Sequence, residues 1–227
     1  MFEALNSFDT QIFLFLNGLH NTFFDNFMYA FSGKWIWIPF YASLLYIFIR
    51  RWKKESIWII LAIILCIVLA DQISSGIIKR LVERPRPSRA EELEGLVHIV
   101  NGYTGGRFGF VSSHAANSFG LALLSSLLFR KKAYTWCLFI WATVTAYSRI
   151  YLGVHYPFDI LGGIIVGISS ALFCYWLLKK FRPYLLSESS ENTIQGNSFW
   201  KKQEYYLPLW IIGLTTVFIS IFSIIKI

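Results

Sequence analysis

Three polar segments in an otherwise apolar chain carry residue types suited to holding an anion and to nucleophilic or acid–base work beside it. The first, residues 79–87, reads KRLVERPRP. Pro85 and Pro87 are expected to stop a helix, because proline lacks an N–H and its ring clashes with the preceding turn. Lys79 then lies on the last helical turn and Arg86 in the extended segment beyond it. A lysine supplies a point charge, whereas an arginine supplies a planar fork that fits two phosphate oxygens. The competing reading of these residues alone is a basic cluster snorkelling towards anionic headgroups.

The second segment, residues 110–118, reads FVSSHAANS and follows a loop rich in glycine (Gly102, Gly105, Gly106, Gly109). The free N–H groups and dipole of a helix start attract anions. Ser112 can cap this start and offer a hydroxyl, and His114 falls in the first turn. A lone histidine near a helix end is more often structural. The third segment, residues 148–159, reads SRIYLGVHYPFD. A carboxylate at Asp159, four residues after His155, can accept from one ring nitrogen. That fixes the tautomer and leaves the other nitrogen free as a nucleophile. Asp159 as a plain helix cap beside a solvated histidine is the competing reading.

The rest of the chain must position these groups within a membrane. Of its 227 residues, 56% are hydrophobic, 19% aromatic and only 15% charged, and the mean hydropathy is +0.52. Soluble domains run at about 45–50% apolar and about 25% charged. Disordered, collagenous and disulfide-scaffold classes are excluded, and one membrane-embedded domain over 1–227 is expected. Net charge +8 does not require nucleic acid, since membrane proteins hold Lys and Arg in cytoplasmic loops. Cys66, Cys137 and Cys174 sit in apolar runs without CxxC spacing and read as buried hydrophobes.

Six stretches approach the ~20 residues that cross a bilayer: 31–49, 57–78, 113–129, 133–154, 160–178 and 206–225. The expected fold is all-α, a polytopic bundle of six transmembrane helices plus an N-terminal amphipathic helix. Arg50, Arg51, Lys53, Lys54, Arg130, Lys131, Lys132, Lys179, Lys180, Arg182, Lys201 and Lys202 fall in one set of connections. The positive-inside rule places them in the cytoplasm and the three polar segments on the outer face. Residues 1–30 lack a basic n-region and do not read as a signal peptide. Their Leu5, Phe8, Ile12, Phe15, Leu16 and Leu19 recur at helical spacing, suiting a helix in the interface plane or capping the bundle. Residues 181–205, with Ser187, Ser189 and Ser190, read as a cytoplasmic linker to a peripheral last helix at 206–225.

Taken together, Lys79-x6-Arg86-Pro87, Ser112-x-His114 and Ser148-Arg149-x5-His155-x3-Asp159 resemble the three-part signature KxxxxxxRP, PSGH, SRxxxxxHxxxD of the type 2 phosphatidic acid phosphatase superfamily. The resemblance covers about 57–178. The middle motif departs from it: Val111 stands for the family's proline and Ser113 for its glycine, which restricts φ at that point.

The resemblance implies hydrolysis of a lipid phosphate through a phosphohistidine, with no metal or cofactor. His155 would be the nucleophile, Asp159 its orienting carboxylate and His114 the acid and then the base. Lys79, Arg86, Arg149, Ser112 and Ser113 would bind the phosphoryl oxygens. Asp71 lies two turns below Lys79 and roughly 80° around an ideal helix. It reads as a supporting or helix-packing group, as do Asn117 and Ser148. Glu91, Glu92 and Glu94 read as a solvated face, and His20 and His98 as structural. The expected setting is a bacterial inner membrane with the site facing the periplasm and a lipid phosphate as partner. Undecaprenyl diphosphate and lipid A are the favoured substrates, ahead of phosphatidylglycerol phosphate and phosphatidate. Alternatives are a transporter, a vanadate-dependent peroxidase, a lipid phosphotransferase and a silent lipid-binding family member. Intramembrane polar residues are too few for the transporter, and the known peroxidases resemble larger soluble proteins.

Overall fold

A computed structural model of the chain describes residues 2–186 and 206–226, and its regular elements there are helices. In chain order they are α1 (Phe2–Asn17), α2 (Thr22–Phe31), α3 (Ile38–Trp52) and α4 (Ser56–Asp71). The last continues through a π-helical stretch, Gln72–Ile78, into a final turn, Lys79–Val82. Then come α5 (Ser113–Phe129), α6 (Lys132–Tyr151), α7 (Pro157–Phe181) and α8 (Leu207–Ile225).

Each of the six expected stretches overlaps one of the helices α3–α8. The expected 31–49 span starts late, because Ser32 and Gly33 end α2 and a 3-10 turn, Trp35–Trp37, leads to Pro39 in the first turn of α3. The apolar run Trp35–Val82 folds back at Lys53 (φ 50°, ψ −123°), so it supplies two antiparallel helices. Together with Pro157–Phe181 and Leu207–Ile225 it is long and apolar enough to cross a membrane. Helix α5 occupies the centre, packed by α4, α6 and α7, and most of its residues are buried in protein.

The α5–α7 crossing is close because two glycines allow it. A Cβ on Gly163 would lie 2.3 Å from the Ser112 carbonyl oxygen, and one on Gly167 would lie 2.2 Å from that of Ala116. Small residues let helix backbones approach within a membrane. This crossing holds the start of α7, with Asp159, against the start of α5. Gly167→Ala is therefore expected to cost about 1–3 kcal/mol through overpacking, read as a lower thermal unfolding midpoint in detergent.

Helix α1 packs on the bundle with its apolar stripe turned outward, as the interface-plane reading expects. Phe8, Phe15 and Leu19 of its apolar stripe are exposed, whereas Asp9, Phe13 and Asn17 are buried against the bundle. Positions spaced by four share a helix face. The inward face thus carries two polar groups with partners, and the outward face is apolar, as a helix resting on lipid requires.

Helix direction alternates, so Lys34, the end of α4, the starts of α5 and α7 and the end of α6 share one end of the bundle. The basic turns at 50–54, 130–132 and 179–182 share the other. Beyond α7, Pro183–Leu186 forms a 3-10 turn, and Leu185 accepts a hydrogen bond from Trp52 Nε1 at 3.1 Å. The remainder of the expected linker, Ser187, Ser189 and Ser190 included, lies outside the described residues. Helix α8 packs on α2, α3 and α6. Cys66, Cys137 and Cys174 are free thiols, and the buried Cys66 and Cys174 are neighbours.

Candidate active site

The π-helical stretch corrects the expected geometry of α4. An i→i+5 turn holds one residue more than an α-turn, so residues beyond it lag an ideal α-helix by about 100°. The expected 80° offset between Asp71 and Lys79 therefore closes to roughly 20°, on the same estimate. Lys79 Nζ donates to Ser113 Oγ at 3.3 Å, and Asp71 lines a cavity beside Ser113, His114 and Asn117. Asp71 thus faces the site and does not serve helix packing alone.

Past Val82 the helix stops at Glu83, whose φ is 50°. Pro85 then pairs with Phe108 in an isolated antiparallel bridge. This extended segment delivers two arginines. Arg86 is 7% exposed; its Nε donates to the Phe108 carbonyl at 3.1 Å and its Nη1 to that of Val154 at 3.1 Å. Nη1 also lies 3.2 Å from His155 Nε2. Burial, reinforced by the neighbouring Arg149, lowers the Arg86 guanidinium to about 10, so it stays charged at neutral pH.

That contact assigns the imidazole. A guanidinium can only donate, so Nε2 carries the lone pair and the proton sits on Nδ1. His155 Nδ1 lies 3.2 Å from Asp159 Oδ2, which accepts it. Burial holds the His155 imidazole well below the ordinary 6.5, and the charges of Arg86, Arg149 and Lys79 add to the effect. The neutral form with a free Nε2 therefore persists into acid. Because protonation removes that lone pair, the acid limb of kcat/KM is expected below pH 6.5. A pH–rate profile with its acid midpoint at or above 6.5 would contradict this.

Asp159 does not sit at the N-cap. Tyr156 does, and Asp159 at N3 accepts the Tyr156 N–H at 3.0 Å. It therefore caps α7 and holds His155 at once. Its second oxygen accepts from Arg84 Nη1 at 3.0 Å, and Arg84 Nη2 reaches Asp9 Oδ2 at 2.8 Å and Asn6 Oδ1 at 2.8 Å. Gly109 passes so close that a Cβ there would lie 2.8 Å from Asp159 Oδ2.

Ser112 is the N-cap of α5 and its Oγ accepts from the Ala115 N–H at 3.4 Å. Its own N–H donates to the Asp159 carbonyl oxygen at 2.8 Å, which ties the second motif to the third. Ser113 is the first helical residue and has no positive φ, so the family's glycine is not needed for backbone reasons. Its hydroxyl becomes the Lys79 partner. His114 lines the cavity within electrostatic reach of Arg149, His155, Lys34 and Lys79.

Arg149 is 3% exposed and donates to Ser32 Oγ and, at 2.9 Å, to Tyr103 OH. Its buried Nε has no partner among the described residues, which leaves a donor for a ligand oxygen. Asn117 Oδ1 is likewise unpartnered. Ser148 is different from the expectation: its hydroxyl donates to the Thr145 carbonyl at 2.7 Å within its own helix and supports no site group directly. Glu91, Glu92 and Glu94 are exposed.

A cavity of about 620 Å³ leads away from this cluster. Lys34, Asp71, Ser113, His114 and Asn117 line it near the site, and Tyr41, Phe48, Ile60 and Leu121 line it deeper between α3, α4 and α5. It combines polar groups at one end with an apolar shaft.

Sequence reasoning missed the parts played by Arg84, Asp9, Tyr103 and Ser32. The one available signal was Asp9 and Asn17, polar residues spaced by eight in a largely apolar helix.

The fold and site define a helical membrane protein that gathers cations around a carboxylate-held imidazole, the class of a membrane phosphatase. The chain belongs to the PAP2 superfamily, whose family model matches residues 57–183. It is 42% identical to a lipid A 4'-phosphatase of Bacteroides thetaiotaomicron over all of both chains. It is 28% identical to the undecaprenyl-diphosphatase BcrC of Bacillus subtilis, covering 77% of this chain and 86% of the relative. Among solved structures, Aquifex aeolicus LpxE superposes with a TM-score of 0.59 at 26% identity, covering 74% of this chain and 94% of that one. The chain is thus a multi-pass membrane phosphatase of this superfamily.

Proposed function

We propose that the chain hydrolyses the phosphate monoester of a lipid A-type lipid at the periplasmic face of a bacterial inner membrane. Six helices, α3–α8, cross that membrane, and the basic turns at 50–54, 130–132 and 179–182 face the cytoplasm. The observation that carries the reading is His155, held between Asp159 Oδ2 and Arg86 Nη1 at 3.2 Å each.

In the reaction, the lipid's phosphate displaces Arg86 from Nε2 and takes its hydrogen bonds. His155 Nε2 attacks phosphorus, the bond to the lipid oxygen breaks, and His114 protonates that leaving oxygen. Neutral His114 then takes a proton from water, the hydroxide adds to phosphorus and the P–N bond breaks. Phosphate leaves and His155 is neutral again. Asp159 stabilises the positive imidazole of the intermediate. Lys79, Arg86, Arg149, Ser112 and Ser113 bind the equatorial oxygens, and Asp71 and Asn117 support the cavity mouth. Monoester hydrolysis is slow enough that catalysts supply over ~20 kcal/mol. A general acid contributes only about 10²–10⁴-fold, so fixed cations must supply most of the rest.

The apolar shaft fits a chain that stays in the bilayer while its phosphate reaches the cations. The full-length likeness to a lipid A 4'-phosphatase supports lipid A over the second reading, undecaprenyl diphosphate, which the BcrC likeness favours. The test is phosphate release from lipid A, undecaprenyl diphosphate, phosphatidylglycerol phosphate and phosphatidate in mixed micelles with EDTA. Lipid A is expected to give the highest kcat/KM, by at least about tenfold, with no loss in EDTA. Preference for another lipid overturns the substrate, and strict magnesium dependence overturns the chemistry.

A further inference from the structure

Outside the phosphate site, at the same end of the bundle, His20, Asp25 and His98 bring three ligating side chains together. One ligand atom from each lies within 4.8 Å of the other two. His98 Nε2 is 2.8 Å from Asp25 Oδ1. The His20 and His98 rings stack in parallel with centroids 3.7 Å apart and 1° between planes. The three residues come from the α1–α2 turn, α2 and the segment 83–112 between α4 and α5, so only the tertiary fold assembles them.

Neighbouring side chains fix the Asp25 carboxylate and the backbone that carries His98. Tyr151 OH donates to Asp25 Oδ1 at 2.6 Å. Asn17 accepts the His98 backbone N–H at 2.8 Å and donates to the His98 carbonyl at 3.1 Å. Asp25 and His98 are half-buried, while His20 is exposed and leaves the site open to solvent.

We propose that His20, Asp25 and His98 bind one zinc-class divalent cation, with water as a fourth ligand. Two imidazoles and a carboxylate suit a borderline ion, whereas magnesium and calcium prefer all-oxygen sites. At metal–donor distances of about 2.0–2.1 Å, tetrahedral donors stand roughly 3.3 Å apart. His98 and Asp25 would separate by about half an ångström and His20 would swing inward, a side-chain adjustment at an exposed edge.

The ion would act as a strap and take no part in phosphoryl transfer. The chain at 97–98 abuts Gly153, two residues before His155: a Cβ on Gly153 would lie 2.7 Å from Val97 Cγ1 and 3.0 Å from the His98 carbonyl oxygen. Five residues past His98, Tyr103 holds Arg149. Tyr151, bonded to Asp25, ends the helix that carries Arg149. Joining 20, 25 and 98 therefore braces the outer wall of the phosphate pocket. The inference stands on these residues and does not rest on the proposed substrate.

The test titrates zinc into the purified, metal-stripped full-length chain in detergent, with calorimetry and elemental analysis. One zinc per chain is expected, saturating at micromolar zinc and raising the thermal unfolding midpoint. His20→Ala, at an exposed position, and Asp25→Asn should each weaken binding at least about tenfold, while His155→Ala should bind as wild type does. Retained phosphatase activity in His20→Ala shows that this variant is folded. Absence of saturable binding, undiminished binding in His20→Ala, or loss of binding in His155→Ala would each overturn the site.

Discussion

His155→Ala is expected to lower kcat/KM by at least about 10³ and to abolish a covalent phosphoenzyme that is labile in acid and stable in alkali. The imidazole is 1% exposed, and its two nitrogens meet different partners, Asp159 Oδ2 and Arg86 Nη1. Neither of its side-chain hydrogen-bond partners can replace it: Arg86 only donates, and Asp159 faces the opposite nitrogen. Removal leaves the cations able to bind the phosphate but with nothing to attack it. Lipid binding should therefore persist while turnover disappears. A His155→Ala variant that releases phosphate at more than a hundredth of the wild-type rate would mean that another group is the nucleophile.

The second large effect concerns the carboxylate. Asp159→Asn keeps the shape of the side chain but can present an N–H₂ to His155 Nδ1, which would favour the wrong tautomer and move the proton to Nε2. The expected loss is about 10²–10⁴ in kcat, the range for a carboxylate that orients a catalytic imidazole, with KM little changed. The same substitution weakens the link to Arg84, which would retain Asp9 and Asn6 as its remaining acceptors. An accompanying fall in thermal midpoint is expected. A variant that loses thermal stability yet keeps its kcat would show that Asp159 is only a helix cap.

The three motifs and their cations were legible in the chain because their residue types are costly in a membrane and so stand out against an apolar background. Proline marked the end of α4, and Ser112 marked the start of α5, since both signals act over one or two turns. Asp71 was placed off the Lys79 face because the π-helical stretch Gln72–Ile78 takes up a residue without the rotation that an ideal helical wheel counts. Ser148 was misassigned because its hydroxyl satisfies itself within its own helix. For α1, the periodicity of Leu5, Phe8, Ile12, Phe15, Leu16 and Leu19 was correct. Which of the two expected placements it takes was left to packing, because an apolar stripe in a membrane protein can point towards lipid as readily as towards a core.

Local chemistry therefore indicated roughly where the helices lie and nominated the side chains that could hold a phosphate. What tertiary packing decided was the set of meetings between distant residues: Arg86 with His155, Arg84 with Asp9 and Asp159, Arg149 with Ser32 and Tyr103. Propensity and periodicity act over a few residues, but these meetings depend on how α1, α5, α6 and α7 cross. The crossings follow from side-chain volumes at contacts such as Gly163 with Ser112 and Gly167 with Ala116, which belong to two helices at once.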